Sequence, residues 1–240
     1  MIVKKDDLSF YADIKGNPDV LLYAPQNYIM IRDYIISNKI KKIALCGGGF
    51  PTQDYVDTIS DFEWIEYING YTKGLDFSFF NQMTELKTYI GTINFELTSK
   101  SVEELYIGTT AKTKISKLCS SLKILDVEGC KSVEKLFGDN FPPLLNQLTF
   151  LKGMFENCVD FMPNISITDL SFINCSKLKN LENLKVLEGL KKLKLENCKN
   201  LSDISEIFMI PSLKELVIIN CPNVDIKKQN VSNGLVISIY

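Results

Sequence analysis

The chain has no histidine among its 240 residues. That removes the commonest general base near neutral pH and the usual activator of a nucleophilic serine or cysteine. No Gly-x-x-x-x-Gly-Lys-[Ser/Thr] phosphate loop occurs either, and no pair of carboxylates stands where one could be tuned as an acid. An enzyme is therefore not expected, nor a cofactor, and no small-molecule substrate is evident. Seven cysteines are present, an odd number, and none forms a Cys-x-x-Cys pair. They do not read as a disulfide framework, so a reducing cytoplasmic home is expected. A zinc site would have to be built from cysteines and acids alone, and no metal is expected. Apolar runs stay well short of about 18 residues, so no membrane span is expected. The opening Met1-Ile-Val-Lys-Lys-Asp-Asp7 lacks the apolar core of a secretory signal. Charge of one sign is missing too, with 27 basic against 29 acidic residues. Such a balance offers no basic stripe to nucleic acid and no polybasic anchor to a membrane.

What is there is a repeat. Leu213-Lys-Glu-Leu216-Val-Ile218-Ile-Asn-Cys221 matches Leu190-Lys-Lys-Leu193-Lys-Leu195-Glu-Asn-Cys198 position by position. Ile167, Leu170, Phe172 and Cys175 repeat the frame, as do Leu122, Leu125, Val127 and Cys130. The frame is apolar-x-x-apolar-x-apolar-x-x-Cys. Weaker copies lack the cysteine, and counting them the frame begins at 40, 62, 83, 102, 122, 145, 167, 190 and 213. The poorest starts at Met83, where Thr88 takes the third apolar place. A spacing of about 20 residues sustained over nine copies identifies a repeat architecture.

The frame resembles the leucine-rich repeat, whose unit of 20–29 residues puts one strand and one return segment in each turn. Cysteine at the ninth place is similar to the cysteine-containing subclass found in substrate-recognition proteins of ubiquitin ligases. The short units are closer in length to repeats of bacterial surface and effector proteins. The resemblance covers about residues 40–221 and implies an α/β solenoid: a horseshoe with a parallel β-sheet on its concave face and short or irregular convex segments.

Elementary geometry agrees. Frame positions four and six are two residues apart, so both project from one face of a strand, and position five projects from the other. One repeat cannot bury its own apolar edge, but stacked repeats form a continuous ladder. Return segments supply a second apolar set in Val133 and Leu136, Leu178 and Leu181, Leu201 and Ile204, and Val224 and Ile226. The ninth-place cysteines read as small buried thiols at a corner, in a row and not a metal cage. Cys46-Gly-Gly-Gly-Phe50 reads as a tight turn at the first corner. Residues 1–39 read as an N-terminal cap of the same domain, a strand over Leu8–Ile14, a turn, a returning strand over Val20–Ala24, and a helix from Asn27 to about Ser37. Repeats fill 40–233, and 234–240 is expected as a capping strand with Ile237 and Ile239 at positions four and six.

Positions three, five and seven are expected on the concave face. From the second copy to the fifth they are Trp64, Glu66 and Ile68; Glu85, Lys87 and Tyr89; Glu104, Tyr106 and Gly108; Ile124, Asp126 and Glu128. Aromatic residues are favoured interface anchors, and carboxylates around them steer a basic partner. The expected function is non-catalytic binding of a basic protein through Trp64, Glu66, Ile68, Glu85, Tyr89, Glu104, Tyr106, Asp126 and Glu128. A cytoplasmic bacterial immunity protein that inhibits a toxin fits the resemblance. The alternatives it implies are a ubiquitin-ligase recognition subunit and a host-directed effector.

Overall fold

The computed structural model describes residues 2–5, 8–17, 19–45, 52–70, 74–226 and 234–240. The glycine cluster after Cys46 lies outside them. An antiparallel meander starts the sheet, β1 (Ile2–Lys5), β2 (Leu8–Tyr11) and β3 (Val20–Leu22). Helix α1 (Tyr28–Asn38) follows, burying Ile31 and Ile35. Every later strand of the main sheet joins in parallel: β4 (Lys42–Leu45), β5 (Tyr67–Gly70), β6 (Thr88–Ile93), then β8 (Glu104–Thr109), β10 (Ile124–Glu128), β11 (Gln147–Leu151), β12 (Asp169–Ile173), β13 (Lys192–Glu196), β14 (Glu215–Ile219) and β15 (Val236–Ile239). Thirteen strands share this sheet, while β7 (Glu96–Leu97) and β9 (Lys114–Ile115) pair separately on the return side. The returns are short. Their α-helices, α2 (Gln53–Asp57) and α3 (Val133–Phe137), have five residues each.

The alternation in sequence becomes burial in space. Leu105, Leu125, Leu148, Leu170, Leu193 and Leu216 lie opposite one another in the pairing and are all buried. Ile107, Val127, Phe150, Phe172, Leu195 and Ile218 form the second rung. Each such side chain contributes about 2 kcal/mol when removed from water. From the back, Val133, Leu136, Leu178, Leu181, Leu201 and Ile204 close the layer, and one core runs from Leu8 to Cys221.

Two backbone devices keep the copies in step. The carbonyl at frame position two accepts two amides from the next copy, as when Thr168 O receives Lys191 N at 2.8 Å and Lys192 N at 2.9 Å. At position eight the chain turns the corner in the left-handed region, at Gly129, Lys152, Asn174, Asn197 and Asn220. Asparagine and glycine tolerate that region best, which explains their recurrence before the cysteine. Each of these amides donates to the position-seven carbonyl of the next copy, for example Asn174 N to Glu196 O at 2.8 Å. The ninth-place thiols do form a row. Cys175 hydrogen-bonds Cys198, which bonds Cys221, and the first two also donate to Phe150 O and Phe172 O of the preceding copy. Gly153 takes this place in the sixth copy because a Cβ there would stand 2.9 Å from the Phe155 ring.

The second and third copies depart from the expected frame. Pairing sets Ile43 opposite Ile68 and Ile68 opposite Tyr89, so these copies begin at Ile65 and Leu86, three residues later than the sequence pattern places them. Their sixth positions are Gly70 and Gly91. A Cβ on Gly91 would lie 2.1 Å from Gly70 O and 2.4 Å from the Tyr89 hydroxyl, so the tyrosine ring fills space that a leucine occupies in other copies.

At the far end β15 pairs in parallel with β14: Ile237 stands opposite Leu216 and Ile239 opposite Ile218.

Candidate functional site

One face of the main sheet carries the core and the other carries frame positions three, five and seven. Tyr106 and Asp126 are half-buried on that second face, opposite each other, between the buried Leu105, Ile107, Leu125 and Val127. Glu104 precedes Tyr106 by two residues, and its carboxylate accepts the Tyr106 hydroxyl. Glu128 lies at the rim and pairs with Lys152 at 2.7 Å. These four of the nine candidate residues stand together.

The other five do not. Ile68 and Tyr89 are core residues at 0% and 1% exposure, placed there by the three-residue shift. Trp64 sits in the turn before β5, where its indole N–H donates to Ile40 O at 2.8 Å and the Lys39 ammonium lies 3.7 Å above its ring. Glu66 falls on the sheet rim, bound to Lys41 at 2.6 Å, and Glu85 is exposed in the turn before β6. The rim repeats this pattern in a charge-alternating row, with Glu103 between Lys87 at 3.6 Å and Lys123 at 2.6 Å. In place of the five lost residues, Tyr67, Asn69, Thr88 and Ile90 occupy the face in these copies. A frame that admitted glycine at position six would have found them.

The front of this face is already covered, which no sequence pattern signalled. Val20, Ala44 and Tyr67 form a small second apolar cluster there, with Tyr11 and Ile90 against it. The turn between β2 and β3 folds onto it. Asp13 receives Lys42 Nζ at 2.7 Å, the Tyr67 hydroxyl bonds the Ile14 backbone, and Lys15 reaches Glu104 at 3.6 Å. Burial pulls the Asp13 carboxyl upward, but donors from Lys42, Asn17 and Lys15 outweigh it and hold the group far below the usual carboxylate range. Lys42 also binds Asp19 at 2.9 Å, and these two carboxylates keep its ammonium above the ordinary lysine value against the opposing pull of burial.

The uncovered part starts at β8. Burial, with Glu104 and Asp126 nearby, pushes the Tyr106 phenol up to about 12, so it is a neutral donor throughout the physiological range. Burial also raises the Asp126 carboxyl, with the Thr149 hydroxyl acting in the opposite direction. Behind these residues Leu151 stands opposite Ile173, both half-buried. Among the described residues no group of three or more cysteines, aspartates or glutamates converges as a metal site, and no helix is long and apolar enough to cross a membrane. No protein-family model matches this sequence, and no curated protein matches it.

Proposed function

We propose that the chain is a leucine-rich repeat solenoid, curved with its uncovered sheet face on the concave side, and that it acts as a non-catalytic binding protein for a basic protein partner. The observation that carries this reading is the Tyr106–Asp126–Glu104 group, an aromatic ring among carboxylates on a face that the chain's own segments leave open from β8 onward. Aromatic anchors with complementary charge are how such faces gain affinity and on-rate. The seven strands from β8 to β15 that carry the open face extend about 30 Å across the sheet, comparable to the span of an interface of standard size. Within this reading, a cytoplasmic immunity or inhibitor protein that covers a basic toxin fits best.

The test is affinity purification from the native host with the wild-type chain and with Tyr106→Ala/Asp126→Ala, identifying bound proteins by mass spectrometry. A basic protein recovered by the first and lost by the second is the expected result. Equal recovery by both, or a partner of acidic charge, would overturn the assignment.

A further inference from the structure

The charges on the uncovered face do not all cancel. Glu104 has Lys15 and Glu128 has Lys152, while Lys192 meets Glu215 at 2.9 Å and Lys194 meets Glu196 at 2.6 Å. Among the described residues Asp126 and Asp169 have hydroxyl partners instead, Thr149 for the first and Thr168 Oγ1 at 2.7 Å for the second, and Asp169 stands opposite Lys192, whose ammonium is turned to Glu215. A half-buried carboxylate without a cation loses hydration that one hydroxyl does not replace. Asp126 therefore costs the free protein stability at neutral pH, and a partner's cation would return that energy on binding. Lys15 against Glu104 shows that this end of the face accepts an ammonium group. Asp169 lies two strands over and two residues back in the pairing, about 12 Å from Asp126 by strand spacing and rise. Gln147 and Thr149 lie between them in the pairing; the half-buried apolar Ile124 stands beside that midpoint, and Leu151 and Ile173 flank Asp126 on its other side.

We propose that Asp126 is a cation seat, that Asp169 is a second one, and that the partner lays across them a segment carrying two lysine or arginine side chains flanking an apolar residue. This rests on the reading of the face as a docking surface for a basic protein, and it adds where the charges enter and how they are spaced.

The test uses the whole chain and a fluorescein-labelled extended peptide with two arginines four residues apart and leucine between them. A twin peptide carries glutamates instead. Binding is read by fluorescence anisotropy and stability by urea unfolding, for wild type, Asp126→Asn, Asp169→Asn and the off-face control Asp160→Asn. Asp126→Asn is expected to weaken arginine-peptide binding by about tenfold while keeping or raising the unfolding midpoint. Asp169→Asn should weaken it by a few-fold, and Asp160→Asn should leave it unchanged. A merely structural Asp126 would give the reverse pattern, with a lowered midpoint and intact binding, and the seat would be overturned. Equal binding by all four proteins would also overturn the seats but leave a basic partner standing. Binding of the glutamate peptide in preference to the arginine peptide would overturn the basic-partner reading itself.

Discussion

The front of the sheet and its rear solve the same packing problem in different ways. From β10 to β14 each copy repeats one recipe: leucine at position four, a large apolar residue at position six, a left-handed corner at position eight, and in most copies a thiol at position nine. From β3 to β6 the recipe breaks. Glycines stand at position six in β5 and β6, the Tyr89 ring fills the space beside Gly91 while Leu45 closes on Gly70, and aromatic contacts such as Tyr23 on Tyr55 at 5.0 Å join the aliphatic residues. The rear buries one face of its sheet, whereas the front buries both because a turn folds over the second. Regular repeats can be extended by copying and leave a surface free. The irregular front has its second surface used up by its own turn.

The rear holds the most severe weak point. Leu193→Asp places an unpaired charge at a fully buried rung and is expected to cost more than about 4 kcal/mol. Far-UV circular dichroism in urea should show collapse of the transition, and retention of a wild-type midpoint would contradict the ladder. The front has a matching weak point of opposite kind. Gly91→Ala adds a single methyl against the Gly70 carbonyl and is expected to cost about 3 kcal/mol, since backbone cannot yield as a side chain can. The same substitution at Gly108, where the nearest atom would be 3.6 Å away, should be nearly silent.

Acid separates the two regions by sign. Asp13 has a depressed carboxyl in the folded protein, so its stabilisation is complete above the unfolded value of about 4 and is lost as pH falls below it. Asp126 has a raised carboxyl and does the opposite: protonation favours the fold as pH drops through its folded value. The sole tryptophan, Trp64, lies in the front part. Its fluorescence should therefore change at a higher pH than circular dichroism of the whole sheet during acid titration. Coincident transitions would show that front and rear unfold as one unit. The smallest expected effect is at a corner. Asn197→Ala should cost about 1 kcal/mol in thermal unfolding through left-handed strain, while Asn197→Gly should recover most of it.

Legibility followed the same division. In the rear, volume and period agree, so Leu125, Val127, Leu193 and Leu195 could be placed inward by counting, and Tyr106 and Asp126 outward by the same count. In the front the frame gave up its apolar sixth place to Gly70 and Gly91, and a pattern that sought leucine there settled on Ile65 and Tyr67 instead. That slip carried Ile68 and Tyr89 onto the wrong face and sent Trp64 and Glu85 to positions they do not hold. A lone tryptophan suggests an anchor, yet the bond of half-buried Trp64 to the Ile40 carbonyl and the stacked Lys39 make it an edge brace. The rim row of Lys41, Glu66, Lys87, Glu103 and Lys123 falls on frame position two only once the second and third copies begin at Ile65 and Leu86, and its pairing appears only when neighbouring copies are set side by side.

The sequence by itself determined that the chain forms a stack of short parallel strands, because a two-residue alternation repeated about every 20 residues has only one way to bury its apolar edge. It also determined the corners, since asparagine and glycine mark where the backbone must turn left-handed. Only the tertiary structure decided where the front copies begin and how much of the second face stays open. Those outcomes depend on contacts between segments far apart in the chain: Leu45 packed against Gly70 of the next copy, and Asp13 reaching a lysine 29 residues away. No local pattern records such a fit.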